Sequence, residues 1–162
     1  MENSAPEWLV GSAPEVTDEI VTSRDQFTTP ECQTIFDWWS GFLPALPMRT
    51  EIPLSKFARF LPSIYLTELV DDKRFEVRIQ GEKVKALLGD GVFPMQFSIG
   101  EPGFPGLMAH NYREAIHRKV VLRHAGTMLV IGRGHVRFES ADFPINGDSV
   151  GKSLILGVIK AT

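Results

Sequence analysis

The chain has 162 residues, 43% of them hydrophobic and 23% charged, with a net charge of -3. That is enough for one domain that buries a core without disulfide or metal staples. Nine acids and two bases lie in residues 1–51 and bases are in excess beyond them, but nowhere is there the dense basic stripe of a nucleic-acid binder. No apolar run approaches the ~20 residues that span a membrane. The acidic N-terminus lacks a basic-then-apolar signal peptide, and Cys32, the one cysteine, has no internal partner. A cytoplasmic protein is expected.

Residues 1–28 mix Ser, Pro, Glu, Asp and Thr around a short apolar patch, Trp8-Leu9-Val10. With no sustained period, they read as an acidic, mostly irregular leader. The domain proper is expected over 29–162. Thr29 is a fitting N-cap and Pro30 a fitting first helical residue, so a helix is expected over 30–43. Ile35, Trp39, Phe42 and Leu46 share one face, and Trp38 lies off it. Such a helix must bury two sides, one on the domain and one on another subunit. Ile35, Trp38, Trp39 and Phe42 are therefore the expected interaction surface, and Trp39→Asp is expected to dissociate a dimer.

After a connector at 48–62, the period changes to two. Ile64–Val70 reads as a strand, Asp71-Asp72-Lys73 as a turn, and Arg74–Gln80 as a strand with Phe75, Val77 and Ile79 on one face. Glu82–Leu88 reads as a short helix ended by Gly89-Asp90-Gly91. Residues 92–106 read as an irregular apolar segment, and about 105–119 as a helix with Met108, Tyr112, Ala115 and Ile116 on its apolar stripe. Three strands follow: Val120–His124, then Thr127–Phe138 after a turn at Ala125-Gly126, then Lys152–Lys160 after a loop at 140–150. The whole is an α+β layer fold of five antiparallel strands with the helices gathered on one face.

That order resembles the PAS fold. The phrases Pro53-Leu54 leading to Phe60-Leu61-Pro62-Ser63-Ile64-Tyr65-Leu66, then Arg74–Glu82 with Leu88-Gly89, then Phe143-Pro144-Ile145 and Gly147, are similar to those of single-domain PAS proteins of alphaproteobacteria. These were formerly catalogued as a domain of unknown function. The likeness spans about residues 33–160. It departs at Gly91-Val92-Phe93-Pro94-Met95, where the family often has an Asp-rich motif. It implies a five-stranded PAS sheet with an extra N-terminal amphipathic helix, and a cleft between the sheet and the helices at 82–88 and 105–119. The cleft lining would include Val77, Ile79, Val84, Leu88, Met108, Tyr112, Ile116 and Met128.

Other motifs are weaker. Gly147–Ser153 has three residues between its glycines where a phosphate loop needs four, and a strand pattern follows where that loop needs a helix. On the long helix, His110 and His117 lie opposite the Met108/Tyr112 stripe, and haem ligation needs a side chain turned inward. Cys32 sits in the first turn of a helix, whose dipole lowers a thiol pKa, but a lone cysteine is more often packing. No Ser/His/Asp or paired-carboxylate constellation stands out, so no catalytic residues, metal or cofactor are expected; a small organic ligand fits the cleft, and a filled, ligand-free core fits it equally. The expected function is a stand-alone sensory or protein-interaction module in signal transduction, working by contacts with itself or an unidentified signalling protein. No output domain fits in the remaining length. The alternative is a small-molecule enzyme, an isomerase or hydrolase on a similar cone, betrayed by an Asp or Tyr in the cleft with a strongly shifted pKa.

Overall fold

The last strand, Ser153–Ala161, is apolar on both sides: Leu154, Leu156 and Val158 point one way, Ile155 and Ile159 the other, and all five are buried. A strand of that kind must lie mid-sheet with cover on both faces. The computed structural model, which describes residues 6–89, 94–149 and 151–162, places it so. The seven strands are β1 (Val16–Val21), β2 (Ile64–Leu69), β3 (Arg74–Gln80), β4 (Gln96–Ser98), β5 (Val121–Met128), β6 (Arg133–Asn146) and β7 (Ser153–Ala161). They form one antiparallel sheet in the order β1-β5-β6-β7-β2-β3-β4. The helices are α1 (Pro30–Ser40), α2 (Glu82–Leu88) and α3 (Phe104–Arg118).

This overturns the expected fold class. The sheet is a seven-stranded half-barrel, not a five-stranded PAS sheet. Nor are the helices on one face. Ile35, Phe36 and Trp39 of α1 share a core with Phe143, Ile145, Leu154, Leu156 and Val158. Tyr112 and Ile116 of α3 pack with Phe75, Phe97 and Ile155. Since neighbouring residues of one strand point to opposite faces, α1 and α3 cover opposite sides.

The two unexpected strands come from segments read as irregular. β1 arises in the leader and pairs with β5 along its whole length, Val16 opposite Gly126 through Val21 opposite Val121. β4 pairs with β3 at Arg74, Phe75 and Glu76. The strand bounds also differ. β5 runs through the expected turn at Ala125-Gly126, where a Cβ on Gly126 would lie 2.1 Å from the Glu15 carbonyl oxygen. Glycine is needed there for close approach, not for turning. The chain turns instead at Leu129–Gly132. β6 extends to Asn146, through much of the expected loop at 140–150. α1 ends at Ser40, short of 43.

Of the expected interaction surface, Trp38 and Phe42 are partly exposed, while the other two residues lie inside the domain. Ile35 and Trp39 are 0% and 3% exposed inside the α1 core, and the Trp39 indole N–H donates to the Pro144 carbonyl at 2.8 Å. Trp38 stands edge-on to both Phe42 and Phe57. The connector that carries Phe57 thus covers part of the second side of this helix.

Candidate functional site

Between the inner sheet face and helices α2 and α3 lies a partly open cavity of about 120 Å³. Its scale is that of the ~150 Å³ engineered cavity that takes up benzene. Val84 and Leu88 of α2, Met108 and Tyr112 of α3, and Val77, Met128 and Phe138 of the sheet form its walls. The leader closes one side with Ser12 and Val16.

Six of the eight expected lining residues are therefore brought together: Val77, Val84, Leu88, Met108, Tyr112 and Met128. Ile116 is buried against the aromatic cluster of Phe75 and Phe97 and does not border the cavity. Ile79 is 47% exposed. The cause is a bulge: Thr67 pairs with Val77 but Leu66 pairs with Ile79, leaving Arg78 extra. One extra residue inverts the alternation, so Ile79 turns out and Gln80 turns in to line the cavity.

One wall is polar, and sequence reading missed its centre. On β5, His124 stands opposite Asp18 of β1 and Ser140 of β6, one inward position from Asp142. Its Nδ1 lies 2.5 Å from Asp18 Oδ1 and its Nε2 lies 3.0 Å from Asp142 Oδ2. Asp142 Oδ1 accepts from the Tyr65 hydroxyl at 2.5 Å. Asp18 also accepts from the Ser12 backbone N–H at 2.8 Å and from its hydroxyl. The Tyr112 hydroxyl interacts with Tyr65 and Asp142. The result is a continuous chain, Asp18–His124–Asp142–Tyr65–Tyr112, bordering an apolar space.

Burial and charge compete along this chain. Burial alone depresses the His124 pKa, but hydrogen bonds and charge from Asp142 and Asp18 raise it to about 9. Burial pushes Asp18 up, yet His124 and Ser12 hold it below its ordinary value. Burial and the nearby Asp142 charge push both Tyr65 and Tyr112 well above 10, so both stay neutral phenols.

The leader is fastened at the same end. The Val10 N–H donates to Asn111 Oδ1 at 3.0 Å, and the Asn111 amide donates back to the Val10 carbonyl at 2.9 Å. His110 Nε2 lies 2.8 Å from the Trp8 carbonyl, and Arg118 lies over the Trp8 ring at 5.0 Å. His110 is thus half-buried under the leader, while His117 and His135 are exposed.

The remaining motifs carry no site. Cys32 is buried, and burial pushes its thiol far above the ordinary range, so it is no poised thiolate. Gly147 closes onto Lys152 by a backbone bond at the β6–β7 connection, and β7 follows at once. Glu68 and Glu76 pair with Arg78. Among the described residues, no group of three or more His, Cys, Asp or Glu is placed to hold a metal ion. No described helix is long and apolar enough to cross a membrane. Residues 90–93, which include part of the expected Gly89-Asp90-Gly91 helix end and of the Gly91–Met95 departure, lie outside the described residues. No family model, curated protein or solved structure matches this chain.

Proposed function

We propose that this protein binds a small, largely apolar organic molecule in the cavity and serves as a cytoplasmic regulatory module whose bound state is read by another protein. The cavity carries this reading. It has the volume of a single-ring ligand, and it combines apolar walls with a few convergent polar groups, the usual make-up of a small-molecule site. The lone cysteine suits a reducing compartment. The test is native mass spectrometry of the gently purified protein. An extra mass that vanishes on denaturation supports the reading, and bare protein at every purification condition counts against it.

A second reading, a small-molecule isomerase or hydrolase, is favoured by Asp142. Its side chain is 1% exposed, borders the cavity, and lies beside two phenols held neutral. A buried carboxylate among neutral donors is suited to moving a proton. Returning the recovered ligand to the protein in deuterated, ¹⁸O-labelled water separates the two. Label entering the ligand only with wild-type protein, and not with Asp142→Asn, makes it an enzyme; a ligand recovered unlabelled makes it a binding module.

A further inference from the structure

We infer that the cavity selects a small lipophilic amine, bound as its cation with the apolar body against α2 and α3 and the ammonium toward the Tyr112–Asp142 wall. The inference rests on the cavity being a ligand site.

Three features of the polar wall converge on a cation. The first is charge. Both ring nitrogens of His124 face carboxylate oxygens, at 2.5 and 3.0 Å. A carboxylate only accepts, so both nitrogens must donate, and the ring is an imidazolium. Two carboxylates around one imidazolium leave one net negative charge. Among the described residues no second cation pairs with Asp18 or Asp142. Arg123, the nearest base along β5, points to the other face and is held by Glu139 and Glu19.

The second feature is the direction of the donors. An anionic ligand needs N–H or O–H groups turned toward it. Here both N–H groups of His124 go to carboxylates, the Ser12 hydroxyl goes to Asp18, the Tyr65 hydroxyl goes to Asp142, and the Asn111 amide goes to the Val10 carbonyl. What the two acids offer is oxygen. Thr67, Gln80 and Ser140 also border the cavity; their hydroxyls and amide donate as well as accept, so they serve an ammonium without excluding an anion, and it is the net negative charge that disfavours one. The third feature is the lining itself. Phe97, Phe104, Phe138 and the two tyrosines border the space, and aromatic faces attract a cation most where water is excluded.

Benzylamine, benzyl alcohol and benzoate test this. They share a ring and nearly a shape, and at neutral pH carry positive, zero and negative charge. Titration calorimetry on the full chain is expected to show benzylamine binding at least about tenfold tighter than benzyl alcohol, with benzoate not binding. Asp142→Asn is expected to abolish the tenfold preference while benzyl alcohol still binds. Asp18→Asn removes the same unit of charge from the far side of His124 and is expected to do likewise, which covers a failure of the first variant to fold. Benzyl alcohol binding as tightly as benzylamine, or any binding of benzoate, overturns the inference and leaves the cavity a ligand site. If none of the three binds, the inference falls together with a ring-sized ligand, and the native mass measurement alone then decides whether any ligand occupies the cavity.

Discussion

The Tyr65 hydroxyl donates to Asp142 at 2.5 Å although a whole strand, β7, lies between theirs. The two residues share a cross-strand row, each directly opposite Gly157. Glycine leaves the middle of that row empty, and the tyrosine ring lies across it. A Cβ at position 157 would come within 1.9 Å of two ring atoms of Tyr65. The polar wall of the cavity thus depends on an absent side chain.

Gly157→Ala is therefore expected to push Tyr65 off Asp142 and to destabilise the protein by about 3 kcal/mol, combining overpacking with a lost buried hydrogen bond. The cost depends on the ring. In a Tyr65→Ala background the same substitution is expected to cost less than about 1 kcal/mol. Urea denaturation of the four proteins in this cycle measures it, and equal costs in both backgrounds contradict the coupling.

The second expectation concerns pH. His124 titrates near 9 in the folded chain against 6.5 for the free side chain. A raised folded pKa stabilises fully below the unfolded value and fades as pH rises through the folded one. Stability should thus fall between about pH 6.5 and 9, by an amount on the order of 3 kcal/mol. The carboxylates act with the opposite sign. Burial opposes Glu139 ionisation, but bonds from Thr29, Thr28 and Arg123 hold its pKa down to about 2, against 4.5 unperturbed. Its contribution is present above 4.5 and lost as pH falls toward 2, and the lowered Asp18 acts in the same direction. Urea midpoints against pH should therefore trace a plateau that falls on both sides. His124→Asn is expected to flatten the alkaline side and to remove most of the Asp18 share of the acid side, leaving the Glu139 share in place.

Glu139 also anchors the first helix from the opposite face. It is fully buried, and its oxygens accept from the backbone N–H and hydroxyl of Thr28 and Thr29 and from Arg123 at 2.7 Å. These are the residues that lead into α1, so β6 fixes the entry of the chain into a helix whose N-cap, Thr29, makes no side-chain cap bond. Glu139→Ala strands two amides and leaves Arg123 with Glu19 alone, and about 3 kcal/mol is expected to be lost. Glu139→Gln keeps the shape and is expected to cost less. Hydrogen exchange should report the Thr28 and Thr29 amides freed in the first variant more than in the second, and unchanged protection in both would exclude the anchoring role.

What was legible in the sequence followed apolar periodicity. β2, β3 and β7 were legible because their alternation or continuous apolar run is unbroken, and most of the cavity lining followed from α2 and α3. The second half of β6 looked like a loop because Ser140, Asp142 and Pro144 interrupt its pattern. β1 looked irregular because Asp18 occupies an inward position. These interruptions are the polar wall itself: a strand that turns an acid inward forfeits its own signature. The even spacing of His110, His117 and His124 draws attention to His124 without revealing its role, since its meaning depends on acids from β1 and β6 at sequence separations of 106 and 18. The Ile79 error was a single bulged residue, Arg78, that no periodicity reveals.

Trp39 gives the last expectation, and it reverses the one drawn from sequence. Trp38 and Trp39 lie on different sides of α1, and the chain itself covers the Trp39 side fully and the Trp38 side in part. Trp39→Asp places a charge among Phe36, Phe143 and the rest of that core, so it is expected to unfold the protein instead of releasing a subunit. Trp39→Phe keeps the ring packing and leaves the Pro144 carbonyl without its donor. It is expected to cost about 2 kcal/mol and to leave the oligomeric state as it was. Circular dichroism with light scattering distinguishes the cases. A folded Trp39→Asp protein of smaller assembled mass than wild type would return this helix to an interface; loss of near-ultraviolet signal at any mass keeps it in the core.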